Sequence, residues 1–221
     1  MIYFITPNYS VAFIPKAGCS TLSRCVIKAF QPHEERLIVN GAYPTGHGPD
    51  TTMWQGFAKK EKYPTHPTLA LIREPVSRFI SAMSQVGLLD VDVALDSMLN
   101  STSIEKQGPR HTRTLVLSKN PHFVPQIKWV HPDTKLYRFP DHLTEAAVEI
   151  GFALPLPTIN TATRPKPTLT PAQEEAVRQF YAEDITLYDS IIQPGIVTGI
   201  VTANYAPPVP PQIIEDSVYE P

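Results

Sequence analysis

Two short stretches of the sequence contain residue types that bind anionic groups. The first, IPKAGCST at 14–21, lies between an apolar run and a segment of helical periodicity. Its lysine, glycine and hydroxyl side chains would surround a helix N-terminus, where unpaired backbone N–H groups attract phosphate or sulfate. Gly18 is expected to let the backbone approach the ligand, and Lys16 to add a cation. Because Lys16 precedes Gly18, the stretch departs from the G-x-x-x-x-G-K-[ST] loop of nucleotide triphosphatases.

The second stretch, LIREPVSRFISA at 71–82, places Arg73 at the end of a continuously apolar run. Pro75 then opens a predicted helix with three serines on the face opposite its apolar stripe, namely Ser77, Ser81 and Ser84. Ligands of open α/β sheets bind at the carboxyl ends of the strands, so Arg73 and a nearby serine would form an anion clamp there. The alternative for Arg73 is a surface ion pair with Glu74.

The elements that would position these residues alternate along the chain. The patterns predict strands at 2–5, 10–15, 68–72 and 135–139, and helices after residue 21, from Pro75, at 91–99, at 142–150 and at 171–192. Thr170 and Gln173 predict a capping box for the last helix. Residues 40–67 are predicted to be mostly loop. The alternation favours an α/β domain with a parallel sheet over residues 1–193, followed by an extended proline-rich tail at 194–221.

Composition excludes several classes of protein. The 221 residues suffice for one domain. With 19 basic and 21 acidic residues the net charge is close to zero, so the composition does not show the excess of positive charge that binding to duplex nucleic acid requires. Without an apolar run of about 20 residues or a signal peptide, we expect no membrane span and a cytoplasmic protein. Two cysteines, Cys19 and Cys25, are too few for a disulfide scaffold, and no spacing of Cys, His, Asp or Glu predicts a metal site.

Taken together, the two stretches closely resemble the cofactor signature of sulfotransferases that use 3′-phosphoadenosine 5′-phosphosulfate (PAPS). The form P-K-x-x-x-[ST]-[ST] is matched by Pro15, Lys16, Ser20 and Thr21, and the form R-[DEN]-P-x-x-R-x-x-S by Arg73, Pro75, Arg78 and Ser81. Three further stretches resemble the carbohydrate branch of the family, which includes Golgi enzymes and their bacterial relatives. They are HFVPQ at 122–126, YRFPDHLTEAAVEIGF and the segment that begins RPKPTLT. Cys19 replaces the usual Ser or Thr of the loop, and the membrane anchor and paired cysteines of Golgi members are missing, which fits a bacterial or viral cytoplasmic version.

The resemblance implies a P-loop-like three-layer sandwich, with a central, mainly parallel sheet flanked by helices. It implies sulfuryl transfer from PAPS to a hydroxyl acceptor, with a carbohydrate favoured, by in-line displacement and without a metal. Lys16 would act on the leaving phosphate. The cofactor would contact Lys16, Ala17, Gly18, Cys19, Ser20, Thr21, Arg73, Ser81, Arg164 and Lys166.

The general base is less clearly indicated by the sequence. In relatives it is a His or Glu between the two cofactor motifs, and the candidates are His33, Glu34, Glu35, His47 and His66. We favour His47, because its glycine-flanked loop is free to reach the site. His122 and Gln126 are candidates for contact with the acceptor or with the adenosine side of the cofactor.

Two other functions stay open on the sequence alone. A nucleotide kinase with an atypical loop would depend on ATP and magnesium. A catalytically silent binding module, with the proline-rich tail mediating assembly, would bind PAPS weakly or not at all.

Overall fold

The computed structural model describes ten parts of the chain, namely residues 3–5, 9–12, 14–22, 25, 57–58, 67–107, 112–152, 154–156, 165–194 and 196–197. Five strands form the main sheet in the order β3-β1-β2-β4-β7: β1 (Tyr3–Ile5), β2 (Ser10–Ala12), β3 (Phe57–Ala58), β4 (Thr68–Arg73) and β7 (Thr134–Phe139). Strands β2, β4 and β7 are parallel, whereas β1 is antiparallel to both of its neighbours. The chain is therefore α/β with a small, mainly parallel sheet, as predicted.

Strand β4 lies at the centre of the parallel part and is almost entirely buried, as its run of apolar residues predicts. It pairs with β7 over its whole length, from Thr68 opposite Thr134 to Arg73 opposite Phe139. Its carboxyl end leads directly into helix α1 (Pro75–Val86). Glu74 begins this helix by accepting hydrogen bonds from the backbone N–H groups of Val76 and Ser77.

The structure also describes elements outside the main sheet. They are α2 (Val91–Asn100), β5 (Ile104–Gln107), β6 (Thr112–Leu115), α3 (Leu143–Glu149), α4 (Pro171–Phe180), α5 (Ala182–Ser190), β8 (Ile191–Gln193) and β9 (Ile196–Val197), with 3-10 turns at Leu117–Lys119 and Gln126–Trp129. The hairpin of β5 and β6 and strand β3, in a segment predicted to be loop, were not predicted. Strands β8 and β9 pair across the predicted boundary between residues 193 and 194.

The helix predicted over 171–192 is two helices, and the prediction of one helix was wrong. The predicted capping box of Thr170 and Gln173 is present at its start. The helix ends at Phe180, because Tyr181 has a backbone φ of −103° and ψ of 27°. The hydroxyl of Tyr181 is buried and donates to the carbonyl of Phe123 over 2.6 Å. Tyr181 and Val177 are buried in one apolar cluster, so the apolar periodicity continues through the break.

Two apolar clusters form the core. One joins the sheet to the helix that begins at Cys19 and to α3, and the other joins α1, α2 and α4 around Phe79, Met83, Phe123 and Tyr181. Ser77 and Ser81 are half-buried and Ser84 is 4% exposed, so the helix face predicted to carry the three serines is covered by protein at Ser84. In the described parts of the chain, no helix has the length and apolar character needed to cross a bilayer.

Candidate functional site

The carboxyl ends of β2, β4 and β7 lie side by side at one edge of the sheet. The Lys16 loop, residues 14–18, follows β2, Arg73 is the last residue of β4, and Phe139 is the last residue of β7. The guanidinium of Arg73 lies over the Phe139 ring, with its Cζ 5.5 Å from the ring centroid. The two stretches for which the sequence predicts anion binding therefore meet at the edge where ligands bind in open α/β sheets.

The Lys16 loop turns sharply into the helix that begins at Cys19. Lys16 has a φ of 67°, which non-glycine residues rarely adopt, and Gly18 has a φ of 76°. A Cβ on Gly18 would lie 2.5 Å from Cδ2 of Phe139 and 2.9 Å from Cδ1 of Leu71. Glycine is therefore required for packing against the end of β7, a different reason from the ligand approach that the sequence suggested.

The start of this helix offers donors for an anion. Thr21 and Leu22 both donate their backbone N–H groups to the Gly18 carbonyl, whereas among the described residues no acceptor is found for those of Gly18 and Cys19. Burial raises the pKa of the Cys19 thiol, so the loop carries no thiolate at neutral pH. The loop therefore presents N–H donors without a negative side chain.

Arg73 joins the two stretches. Its Nε and Nη2 donate to the Ser77 hydroxyl over 3.1 and 2.9 Å, and its Nη1 donates to the backbone carbonyl of Lys16 over 3.2 Å. Three of the five guanidinium N–H groups are used in this way, and two have no acceptor among the described residues. Glu74 caps α1 instead, and no ion pair between Arg73 and a carboxylate is found in the described parts of the chain. The ion-pair alternative for Arg73 is thereby disfavoured.

Arg78 is buried, with 1% of its surface exposed, and supports the site from within. Its Nε donates to the Pro15 carbonyl over 3.1 Å, and its Nη2 donates to the carbonyls of Val124 (2.9 Å) and Pro121 (3.4 Å). One guanidinium therefore holds the Lys16 loop against the His122 loop, residues 120–127. The sequence motif that includes Arg78 does not indicate these backbone contacts.

The His122 loop is also held from the C-terminal helices. Asp184, on α5, accepts hydrogen bonds from the backbone N–H groups of Gln126 and Ile127 over 2.6 and 2.8 Å. The Gln126 side chain accepts from the Arg73 N–H and donates to the Arg73 carbonyl, and the residue is fully buried. The amide of Gln126 therefore binds the end of β4. A contact of Gln126 with the acceptor or the cofactor stays a prediction.

His122 is partly buried, and its Nδ1 has no hydrogen-bond partner in the described parts of the chain. Burial, together with the positive charges of Lys16 and Arg78, lowers the pKa of His122 to about 4. The ring is therefore neutral at physiological pH and lies close enough to Lys16 to be influenced by its charge. Lys16 itself extends toward Gln85, with 3.5 Å between its Nζ and Oε1 of Gln85.

The structure brings only some of the predicted residues together. The Lys16 loop, Arg73 and His122 share the edge of the sheet, and Ser81 lies one helical turn beyond Ser77, half-buried. Lys166 is exposed. His47 and Arg164 lie outside the described residues, as do the other candidates for the base. Within the described ranges, no group of three or more His, Cys, Asp or Glu side chains is placed to hold a metal ion.

Comparisons with models of protein families, with curated proteins and with solved structures find no match to this chain. The arrangement at the edge of the sheet is accordingly interpreted from its own chemistry.

Proposed function

We propose that the chain is a sulfotransferase that moves a sulfuryl group from PAPS to a hydroxyl acceptor by in-line displacement. The observation that carries the proposal is the contact of Arg73 with the Lys16 carbonyl, which joins two cationic stretches 57 residues apart into one site. The fold that accompanies this proposal is the P-loop-like three-layer sandwich implied by the sequence resemblance.

The donors at this edge fit a molecule with two separate anionic groups. The Lys16 ammonium and the N–H groups of Gly18 and Cys19 suit a phosphosulfate, which accepts hydrogen bonds through several oxygens. The two uncommitted N–H groups of Arg73 suit a second phosphate, with Ser81 on the same helix face as Ser77. Burial lowers the pKa of the Arg73 and Arg78 guanidiniums, and an anion would offset that cost of burying positive charge.

PAPS would supply the sulfuryl group, whose bond to the 5′-phosphate breaks as the acceptor oxygen bonds to sulfur. Lys16 would stabilise the negative charge that develops on the bridging oxygen of the leaving phosphate, which takes the electron pair. Arg73 and Ser81 would hold the 3′-phosphate, and Arg164 and Lys166 would lie against the cofactor. His47 would accept the proton of the acceptor hydroxyl. The favoured acceptor is a carbohydrate, supported by the resemblance of residues 122–126 to the carbohydrate branch.

Thermal unfolding with the product nucleotide, 3′-phosphoadenosine 5′-phosphate (PAP), tests the site without knowledge of the acceptor. At a hundredfold excess over Kd, binding adds about 2.7 kcal/mol to the free energy of unfolding, a rise of about 5–10 °C in Tm. We expect this rise with PAP and not with ATP and magnesium. Arg73→Ala should lose the rise, whereas Arg178→Ala, which removes an exposed arginine paired with Glu174, should keep it.

A rise with ATP and magnesium alone would overturn the proposal in favour of nucleotide phosphotransfer. The absence of a rise with either nucleotide would favour a silent binding module. If PAP binds, transfer of labelled sulfate from PAPS to desulfated polysaccharides, compared with tyrosine peptides, tests the acceptor class.

A further inference from the structure

His122 is a titratable side chain beside the proposed site to which the mechanism above gives no role. Its Nδ1 is buried and unpartnered among the described residues, although buried polar groups are normally hydrogen-bonded. The residue as a whole keeps part of its surface exposed. The ring thus has one nitrogen enclosed by protein.

The backbone around His122 is fixed by contacts on both sides. Its own N–H donates to Oδ1 of Asn120 over 3.0 Å, and Arg78 holds the carbonyls of Pro121 and Val124. The next residue, Phe123, is fully buried and packs edge-to-face on Phe79 with 6.0 Å between ring centroids. Such anchoring positions a side chain before a ligand arrives, as catalytic groups require.

The same support places His122 relative to Lys16. Arg78 binds Pro15, the residue before Lys16, and it also binds the residues flanking His122 and Phe123. The charged groups that act on the His122 ring from the neighbouring elements are Lys16 and Arg78, both positive. A protonated ring would face two cations, so His122 stays neutral there.

A neutral imidazole carries its proton on one nitrogen only. A buried N–H without an acceptor is rarer in proteins than a buried acceptor without a donor. We therefore assign the bare nitrogen to Nδ1 and the proton to Nε2. A general base would need the opposite tautomer, with a lone pair on Nε2 and an orphaned N–H at Nδ1.

We propose that His122 is a catalytic residue that donates its Nε2–H to an oxygen of the sulfuryl group in the site formed by Lys16 and Arg73, an inference that rests on the proposed function. As sulfur passes from the phosphate oxygen to the acceptor oxygen, the charge on the sulfuryl oxygens is stabilised by this neutral donor. The proton of the acceptor hydroxyl leaves to a different group.

Ring nitrogen NMR shifts of histidine-labelled protein test the assignment without an acceptor. Loss of one ring signal in His122→Gln identifies the residue. We expect the Nε2–H tautomer in the free protein, and a change in the Nε2 shift with PAPS that PAP, which lacks the sulfuryl group, does not produce. An Nδ1–H tautomer, or equal responses to PAPS and PAP, would overturn the proposal.

Three substitutions of His122 distinguish hydrogen-bond donation from general base catalysis. The measurement is turnover of labelled PAPS, with desulfated polysaccharides or water as the acceptor. Gln places an amide N–H near the Nε2 position, whereas Asn places one near Nδ1 and Ala places none. We expect His122→Ala and His122→Asn to lower kcat about 100-fold, and His122→Gln to stay within about tenfold of the original protein. PAP-induced stabilisation should persist in all three variants.

If His122→Gln is as inactive as His122→Ala, and the acidic limb of the pH–rate profile is lost, then His122 is the general base and the donor role is rejected. Normal turnover in all three variants would remove His122 from the chemistry. Failure of the proposed function is distinguishable, because the original protein would then show no stabilisation by PAP, and the sulfuryl role of His122 would fall with it.

Discussion

The Nη1 group of Arg73 donates a hydrogen bond to the backbone carbonyl of Lys16 over 3.2 Å. Lys16 holds a positive φ of 67°, a conformation that persists in a non-glycine residue only when its surroundings fix it. Arg73 therefore shapes the loop in addition to carrying the positive charge that the proposed cofactor would meet. The two cationic residues act as one unit, and their substitutions should not be additive.

Arg73→Lys should lose most of the PAP-induced rise in Tm although it keeps the positive charge. An ammonium cannot donate to Ser77, to the Lys16 carbonyl and to a phosphate with the planar geometry of a guanidinium. We expect Kd for PAP to rise at least about tenfold, measured by titration calorimetry. An unchanged Kd would show that only the charge of Arg73 matters.

Arg78→Met should lower the free energy of unfolding by about 3 kcal/mol, measured in urea. The substitution fills a similar volume but leaves the carbonyls of Pro15 and Val124, and the more distant one of Pro121, without their charged donor. The exposed Arg178→Met is the matched control and should cost less than about 1 kcal/mol. Equal losses in the two variants would contradict the supporting role of Arg78.

Gly18→Ala should destabilise the fold by about 2 kcal/mol, because the added methyl group meets Phe139 and the φ of 76° is unfavourable for alanine. Phe139→Leu removes the ring atoms at 2.5 and 2.7 Å, so the double variant should recover part of the loss. The coupling free energy, calculated from the original protein, the two single variants and the double variant, isolates the clash between the methyl group and the ring. The part of the Gly18→Ala loss that the coupling does not account for measures the backbone strain. A coupling of zero would show that the ring moves aside freely.

Glu149→Gln should remove a pH dependence of stability between about pH 4.5 and 2. Glu149 accepts hydrogen bonds from the hydroxyls of Tyr9 and Tyr137, 2.5 Å each, and from Lys135. These contacts, that of Lys135 first, lower the pKa of Glu149 from its ordinary 4.5 to about 2. Because the folded pKa is the lower one, the stabilisation is complete above pH 4.5 and is lost as the pH falls toward 2.

The measurement for Glu149→Gln is urea unfolding at pH 3 to 7, with Glu174→Gln as the control. Glu174 also pairs with one basic side chain, Arg178, but on an exposed helix face. We expect Glu149→Gln to cost about 1–2 kcal/mol at pH 7 and to flatten the profile below pH 4.5. An unaltered profile in the Glu149 variant would show that the network contributes no free energy.

Local patterns sufficed to predict the elements that carry the site. The apolar run before Arg73, the proline at 75 and the Thr170 capping box have their causes within a few residues of sequence, and the structure confirms all three elements. The break at Tyr181 was not predictable in this way. The hydroxyl of Tyr181 donates to the backbone carbonyl of Phe123, 58 residues away, and a contact with a backbone carbonyl has no signature in the sequence.

The same limit applies within the site. The sequence indicated Arg73 and Lys16 through their side chains, and it missed what Arg78, Gln126 and Asp184 do because each binds backbone groups of another segment. Glu74 was considered as an ion-pair partner, whereas its carboxylate caps α1. PAPS binding, sulfuryl transfer and the roles of His47 and Arg164 stay predictions.

A chain of contacts runs from one end of the described sequence to the other. Asp184 binds the backbone of Gln126, the Gln126 side chain binds the backbone of Arg73, and Arg73 binds Lys16. During synthesis on the ribosome, Lys16 therefore emerges long before the residue that completes its support. We expect nascent chains that end before residue 184 to lack this support for the Lys16 loop, and the proposed binding of PAP to begin only when α5 has left the exit tunnel.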